Sequence, residues 1–80
     1  MIKDFVVTDS QKKVRHRAII GSIADFVDAG HVPMYTTGKK GKRVNMKKMK
    51  GFAVKHDFSG YVKLFRTEES AEGYLRRVYA

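Results

Sequence analysis

Apolar and polar positions follow one another in short segments along the chain, and several of these segments have the composition of β-strands. Residues 2–7 are rich in β-branched and aromatic side chains and predict a first strand. Residues 52–57 and 61–65 have the same character and are separated by a short segment that ends at Gly60. They predict an antiparallel hairpin in the second half of the chain.

A first helix is predicted over residues 17–29. At about 100° per residue the apolar side chains of this segment fall in one arc. These residues are Ile19, Ile20, Ile23, Phe26 and Val27. Gly30 follows where a helix commonly ends, because glycine adopts the left-handed conformation that terminates helices.

A second helix is predicted near the end of the chain. Thr67 has the side chain of an N-cap, and Glu68 and Glu69 complement the helix dipole in the first turn. Apolar residues then recur at the spacing i, i+3, i+4 and i+7, namely Ala71, Tyr74, Leu75 and Val78.

The predicted elements sum to one small α+β domain over residues 1–80, with an antiparallel sheet and two helices packed on one face. An offset of 47 residues aligns Phe5 with Phe52 and Val7 with Val54, which suggests a ββα–ββα arrangement. Residues 12–17 are left open as a strand, a helix or a flexible arm.

Positive charge is concentrated in two parts of the chain. The 80 residues contain 17 Lys and Arg against 8 Asp and Glu, a formal net charge of +9. Residues 38–51 hold seven cations and no acidic residue: Lys39, Lys40, Lys42, Arg43, Lys47, Lys48 and Lys50. A second cluster contains Lys12, Lys13, Arg15 and Arg17. Such an uneven distribution favours a polyanionic partner over a simply solvated surface.

The lysine-rich segment 38–51 is predicted to be a hairpin or loop. Gly38 and Gly41 bracket two lysines between β-favouring residues 34–37 and residues 42–46, so a hairpin with a lysine tip is the simplest interpretation. A short helix over residues 43–50 is the alternative, with only Met46 and Met49 to bury.

Two short segments resemble known RNA-binding motifs. Residues 50–53 resemble the first half of the RNP1 strand of the RNA-recognition motif, although Val54 and Asp57 stand where that family has aromatic residues. Residues 38–41 are similar to the GXXG clamp of KH domains, which joins two helices. Neither family is assigned to the chain, but both motifs belong to RNA-binding domains, and the positive charge favours the same kind of partner.

The function predicted from these features is non-catalytic binding of a nucleic acid, with RNA favoured, through contacts from both cation clusters to the phosphate backbone. Major-groove readers of duplex DNA usually present a basic helix, and neither predicted helix is basic on one face. Solvent-facing rings could stack on bases, although each is expected in the core of so small a domain: Tyr35, Phe52, Phe58 and Tyr61.

No catalytic, metal or cofactor site is predicted. His16, His31 and His56 lie far apart in the sequence without metal-binding spacing, and they are expected at surfaces or strand ends. His56 and Asp57 are adjacent, so on a strand they would point to opposite faces and could not act together. The chain has no cysteine, which excludes thiolate chemistry and favours a reducing cytoplasm.

Small size and strong positive charge are also typical of inhibitors. The alternative function is therefore a small inhibitor or antitoxin-like protein, of the kind that phages encode, that binds a host nuclease, toxin or ribonucleoprotein through protein contacts, RNA or both. A ribosome-associated structural protein is a third possibility, disfavoured because the basic segment is internal. Neither a membrane helix nor a secretory peptide is expected, and a homodimer is plausible because a small sheet exposes its edges.

Overall fold

The computed structural model describes residues 1–8, 10–56 and 60–79 of the chain. These residues form six strands and two α-helices. The strands are β1 (Lys3–Thr8), β2 (Val14–Ser22), β3 (Tyr35–Thr37), β4 (Arg43–Asn45), β5 (Phe52–His56) and β6 (Val62–Phe65). The helices are α1 (Ile23–Asp28) and α2 (Glu68–Val78). Single 3₁₀ turns span Lys39–Gly41 and Met46–Lys48.

The larger sheet contains four antiparallel strands in the order β1-β2-β5-β6. Strands β1 and β6 form its edges, and β3 pairs with β4 in a separate two-stranded sheet. The α+β class, the strand near residues 2–7 and the β5–β6 hairpin are thereby confirmed. The part of the predicted β5–β6 turn at Phe58 and Ser59 lies outside the described residues.

The predicted helix over residues 17–29 is wrong in its first half. Residues 14–22 form β2, so residues 14–17 of the segment left open in the sequence are strand while Lys12 and Lys13 precede it, and the helix begins only at Ile23. The hydroxyl of Ser22 accepts a hydrogen bond from the Asp25 amide at 3.0 Å and caps α1. In the second half of β2 the neighbours Ile19 and Ile20 pack against core clusters on opposite faces of the sheet, so consecutive residues are apolar. Consecutive apolar residues are also compatible with the apolar arc of a helix, so the pattern did not distinguish the two elements.

The end of α1 lies where the sequence predicts it. Asp28 is the last helical residue, and Gly30 has φ +81°, in the left-handed region that glycine adopts without strain. At the other end of the helix, hydrogen bonds from the Met1 amino group and the Ser22 hydroxyl lower the pKa of Asp25 below its ordinary value. These contacts fasten the start of the chain to α1.

The second helix agrees with its prediction in position and in its N-cap. The Thr67 hydroxyl accepts a hydrogen bond from the Ser70 amide at 3.1 Å. Ala71 and Leu75 are fully buried against the sheet, and Val78 is 45% exposed. The predicted apolar stripe is therefore buried in its central part and leaves the core toward the last turn.

The two helices pack against opposite faces of the four-stranded sheet, which differs from the predicted single layer. Val54 clusters with Ile20 and with Leu75 of α2, so this side is named the α2 face. Its neighbour Ala53 clusters with Phe26 of α1 on the α1 face. Consecutive strand residues point to opposite sides, and both Ala53 and Val54 are fully buried, so both sides of β5 require cover.

The order β1-β2-α1 followed by β5-β6-α2 has the predicted ββα–ββα form, with the β3–β4 hairpin between the halves. Because α1 has six residues and α2 has eleven, and they lie on opposite faces, the halves are not equivalent copies. The molecule is elongated, with principal dimensions of 49 × 21 × 21 Å. Among the described residues no helix is long and apolar enough to cross a membrane.

Candidate nucleic-acid interface

The hairpin of β3 and β4 carries the lysine-rich tip that the sequence predicts. Thr37 and Arg43 form the last cross-strand pair. Beyond them the Gly38 amide donates to the Lys42 carbonyl at 2.6 Å, and the 3₁₀ turn Lys39–Gly41 completes the loop. The chain therefore reverses within five residues and presents its cations at the end of a narrow ribbon.

The two sides of this hairpin have different surroundings. Val44 and its cross-strand partner Thr36 share one side, and Val44 packs against the core cluster on the α1 face. Tyr35, Thr37 and Arg43 lie on the other side, and all three are exposed. The hairpin is thus anchored by one side and offers the other to solvent.

All seven cations of the segment 38–51 are exposed, as a solvent-facing binding surface requires: Lys39, Lys40, Lys42, Arg43, Lys47, Lys48 and Lys50. Lys47 Nζ lies 3.1 Å from the Asp28 carboxylate at the end of α1. Among the described residues no ion pair involves the other six. The tip cations Lys39, Lys40, Lys42 and Arg43 are named the lysine tip below.

Arg43 makes a cation–π contact with Tyr35 on the exposed side of the hairpin. Its guanidinium carbon lies 4.0 Å from the centre of the Tyr35 ring, and Tyr35 is 44% exposed. An arginine stacked on one face of an aromatic ring keeps its outward N–H groups for a phosphate, and the exposed fraction of Tyr35 leaves ring surface that a base can contact. Charge and stacking surface are therefore adjacent at the base of the lysine tip.

The second cation cluster is divided by the fold. Lys12 and Lys13 are exposed in the turn between β1 and β2, where Lys12 has φ +61°. Arg17 lies within β2 and lines a cavity on the α1 face. The side chain of Arg15 lies outside the described residues. These cations therefore belong to the four-stranded sheet and do not join the lysine tip in one element.

The four candidate aromatic residues have separate environments. Phe52 packs against the core on the α2 face, as expected. Tyr35 and Tyr61 are 44% and 78% exposed, so placing them in the core was wrong. Phe58 lies outside the described residues. Small domains need their rings inside, but this core is filled mainly by aliphatic side chains from both faces of the sheet.

The structure also forms a cavity that could not be located from the sequence. It measures about 330 Å³ and lies on the α1 face, where Asp4, Arg17, Ile19, His31 and Lys55 line it. Strand register brings Asp4 and Lys55 to either side of Ile19, although they are 51 residues apart in the chain. Only a prediction of the β1-β2-β5 pairing would have identified these side chains as neighbours.

His56 and His31 differ from the surface positions expected for them, and the side chain of His16 lies outside the described residues. His56 is 5% exposed; its Nε2 lies 3.0 Å from the Tyr74 hydroxyl, and its Nδ1 contacts the Tyr79 hydroxyl. His31 is half-buried, and its Nδ1 lies 3.4 Å from Lys55 Nζ. In the described part of the chain no three His, Cys, Asp or Glu side chains are grouped as a metal site would require.

The chain matches no protein-family model, and comparisons with curated proteins and with solved structures find no match. Gly38 and Gly41 join two strands in this fold, whereas the corresponding glycines of KH domains join two helices. The candidate interface therefore rests on the positions and charges of its own residues and not on a resemblance to a known family.

Proposed function

We propose that this protein binds RNA without catalysis, through phosphate contacts made by the lysine tip of the β3–β4 hairpin. The supporting observation is the position of Lys39, Lys40, Lys42 and Arg43. They lie at the end of a hairpin that is anchored by Val44, and no described acidic side chain pairs with them. Each cation that docks on a phosphate releases condensed counterions, which makes binding favourable at low salt.

The described acidic residues that form ion pairs do so with groups outside the lysine tip, and one of these pairs is Asp28 with Lys47. Asp25 binds the Met1 amino group, Glu68 lies 3.5 Å from Lys3 Nζ, and Glu72 lies 3.5 Å from an Arg76 nitrogen. No ion pair involves the four cations of the lysine tip among the described residues, so their positive charge is concentrated at the hairpin without a neutralising partner. This arrangement steers a polyanion toward the hairpin.

Single-stranded or looped RNA is the favoured polyanion. The exposed ring of Tyr35 lies beside the phosphate-binding cations, and such rings stack on unpaired bases. The helices are poorly suited to a groove lined with phosphates, because α1 carries Asp25 and Asp28 and α2 begins with acidic residues. A ribbon of cations with one adjacent aromatic ring fits a flexible strand better.

The decisive experiment compares two variants with equal loss of charge. The first replaces Lys39, Lys40, Lys42 and Arg43 by Gln, and the control replaces Lys63, Arg66, Arg76 and Arg77, all of which are exposed away from the hairpin. Fluorescence anisotropy measures binding to a labelled single-stranded RNA over a series of salt concentrations, and circular dichroism checks the fold.

The tip variant should lose most of its affinity, and its salt slope should fall by about 0.7 for each phosphate contact removed. The control should retain the wild-type slope. Equal losses in both folded variants would show that only overall charge matters and would contradict a localised interface. Tighter binding to duplex DNA than to single-stranded RNA would overturn the preference for RNA, since a two-stranded ribbon also fits a major groove.

An inhibitor that binds an acidic host nucleic-acid enzyme is the second candidate function. The observation that favours it lies at the base of the hairpin, where Met34 and Met49 are 44% and 38% exposed beside the cations. The Met46 amide donates to the Met34 carbonyl, and the Met49 amide donates to the Met46 carbonyl, so these residues are neighbours. A stoichiometric protein partner that survives nuclease treatment in a pull-down would favour this function.

A further inference from the structure

Three side chains form a row across the α1 face of the four-stranded sheet. Asp4 on β1 pairs with Ile19 on β2, and Ile19 pairs with Lys55 on β5. Neighbouring strands lie about 4.8 Å apart, so the backbones of Asp4 and Lys55 are separated by about 10 Å. A carboxylate and an ammonium group thus flank an aliphatic side chain.

The row lies in the cavity of about 330 Å³, which Arg17 and His31 also line. This volume is at the lower end of the range for small-molecule pockets, about 300–1,000 Å³. No ion pair joins Asp4 to Arg17 or to Lys55 among the described residues. Opposite charges therefore line this cavity, called the groove below, without pairing with each other, and both remain available to a ligand.

We propose that this groove binds one unpaired guanine nucleotide of the RNA, which goes beyond backbone contacts and rests on the proposed function. The base lies over Ile19, the Asp4 carboxylate accepts hydrogen bonds from the edge of the base, and Arg17 and Lys55 contact the phosphate. The groove would thereby add base preference to the sequence-independent binding of the lysine tip.

Guanine is the base that matches a carboxylate. An ionised carboxylate has two acceptor oxygens and no donor. Guanine presents two adjacent donors, N1–H and N2–H, and both can bind one carboxylate side by side. Adenine and cytosine present a donor next to an acceptor, and uracil has one donor between two acceptors, so each would place an acceptor against Asp4 or lose a bond.

The cationic side of the groove suits the nucleotide phosphate. Lys55 Nζ lies 3.4 Å from His31 Nδ1, and both side chains are half-buried, so the ammonium group is held beside the cavity. The exposed side chain of Arg17 extends from the same face of β2 as Ile19, two residues earlier. Arginine binds phosphate through two parallel hydrogen bonds, whereas lysine acts as a point charge.

The test uses the full chain, two single-stranded RNAs and two mononucleotides. The RNAs are nine-residue repeats of UUG and UUA, which differ only in the candidate base. The variants are Asp4→Asn and, as a matched control, Glu69→Gln, an exposed acid at the start of α2. Titrations of 5′-GMP and 5′-AMP, followed by backbone amide NMR, test the groove without dependence on the lysine tip.

The wild type should prefer the UUG repeat by about tenfold, since hydrogen bonds to a charged group are worth at least one decade in affinity. Asp4→Asn should abolish that preference, and Glu69→Gln should keep it. GMP should shift the amides of Asp4, Ile19 and Lys55 more than AMP does.

Equal affinity for the two RNAs, or an equal response to GMP and AMP, would overturn the guanine assignment and leave backbone binding by the lysine tip intact. Failure of both RNAs to bind would instead overturn the proposed function, and GMP-specific shifts would then mark the groove as a mononucleotide site. The two proposals therefore fail through different measurements.

Discussion

Lys47 and Asp28 form an ion pair that joins the end of α1 to the segment after the β3–β4 hairpin, with Nζ 3.1 Å from Oδ1. Within the part of the chain that the structure describes, this pair divides the seven cations of the segment 38–51 into one that is matched by an acid and six that are not. Because both side chains are about half exposed, the pair contributes little to stability, on the order of 0.2–1 kcal/mol. Its larger effect is on the charge available to a ligand.

The first prediction follows from that division. Lys42→Gln should weaken RNA binding and reduce the salt slope by about 0.7, since one phosphate contact is lost. Lys47→Gln should have a smaller effect, because Asp28 already neutralises that charge. Asp28→Asn should strengthen binding by releasing Lys47. Fluorescence anisotropy in a salt series measures all three, and weaker binding by Asp28→Asn would contradict the assignment.

The second prediction concerns the stacking surface at Tyr35. Its ring lies under the Arg43 guanidinium at 4.0 Å and is 44% exposed. Tyr35→Leu should reduce the free energy of binding to single-stranded RNA by about 1–3 kcal/mol, the usual contribution of base stacking on an aromatic ring. Tyr35→Phe keeps the ring and serves as the control. Equal binding by the Leu and Phe variants would show that the ring does not contact a base.

The third prediction tests the two-sided core by urea denaturation. Leu75→Ala on the α2 face should lower the free energy of unfolding by about 2–5 kcal/mol, and Phe26→Ala on the α1 face by about 3–5 kcal/mol, because both side chains are fully buried. Val78→Ala, at a position 45% exposed, is the matched control on α2 and should cost much less. If Phe26→Ala cost less than 1 kcal/mol, α1 would not cover the sheet as described.

The fourth prediction concerns the buried imidazole of His56. Its Nε2 lies 3.0 Å from the Tyr74 hydroxyl, and the His56 side chain is 5% exposed. Tyr74→Phe removes this hydrogen bond while keeping the ring, and it should lower the free energy of unfolding by about 0.5–1.5 kcal/mol. Tyr35→Phe changes an exposed hydroxyl and should leave stability unaltered. Calorimetry or urea denaturation compares the two variants, and equal stability would show that the His56–Tyr74 bond contributes nothing.

The parts of the fold that depend on local signals could be read from the sequence. Thr67 caps α2, Gly30 follows α1, and Gly38 and Gly41 bound the tip of the β3–β4 hairpin. Caps and turns depend on the conformational preferences of a few adjacent residues, so they are encoded where they occur. The exposure of the lysine tip could be predicted in the same way, because burying several unpaired charged side chains of a short turn would cost too much free energy.

The start of α1 shows where local signals were insufficient. Ile19 and Ile20 are neighbours in β2 whose side chains point to opposite faces of the sheet, and each packs against the core cluster on its own face. A strand covered on both sides has the continuous apolar pattern of a helix, so the pattern alone supported the wrong element. Only the pairing of β2 with β5 distinguishes the two, and that pairing joins residues 30 to 38 positions apart.

The sequence by itself determined the two cation-rich segments, the lysine hairpin, the last helix and the α+β composition, because charge and local conformational preference need no distant partner. The tertiary structure alone decided that α1 and α2 cover opposite faces, that Tyr35 faces solvent beside Arg43, and that Asp4 and Lys55 share one groove. Those relationships depend on strand register and on which surfaces remain to be covered. Strand register and surface cover both involve elements that are distant in the chain. Burial of apolar surface has no preferred direction, so its arrangement is set only when all the elements pack together.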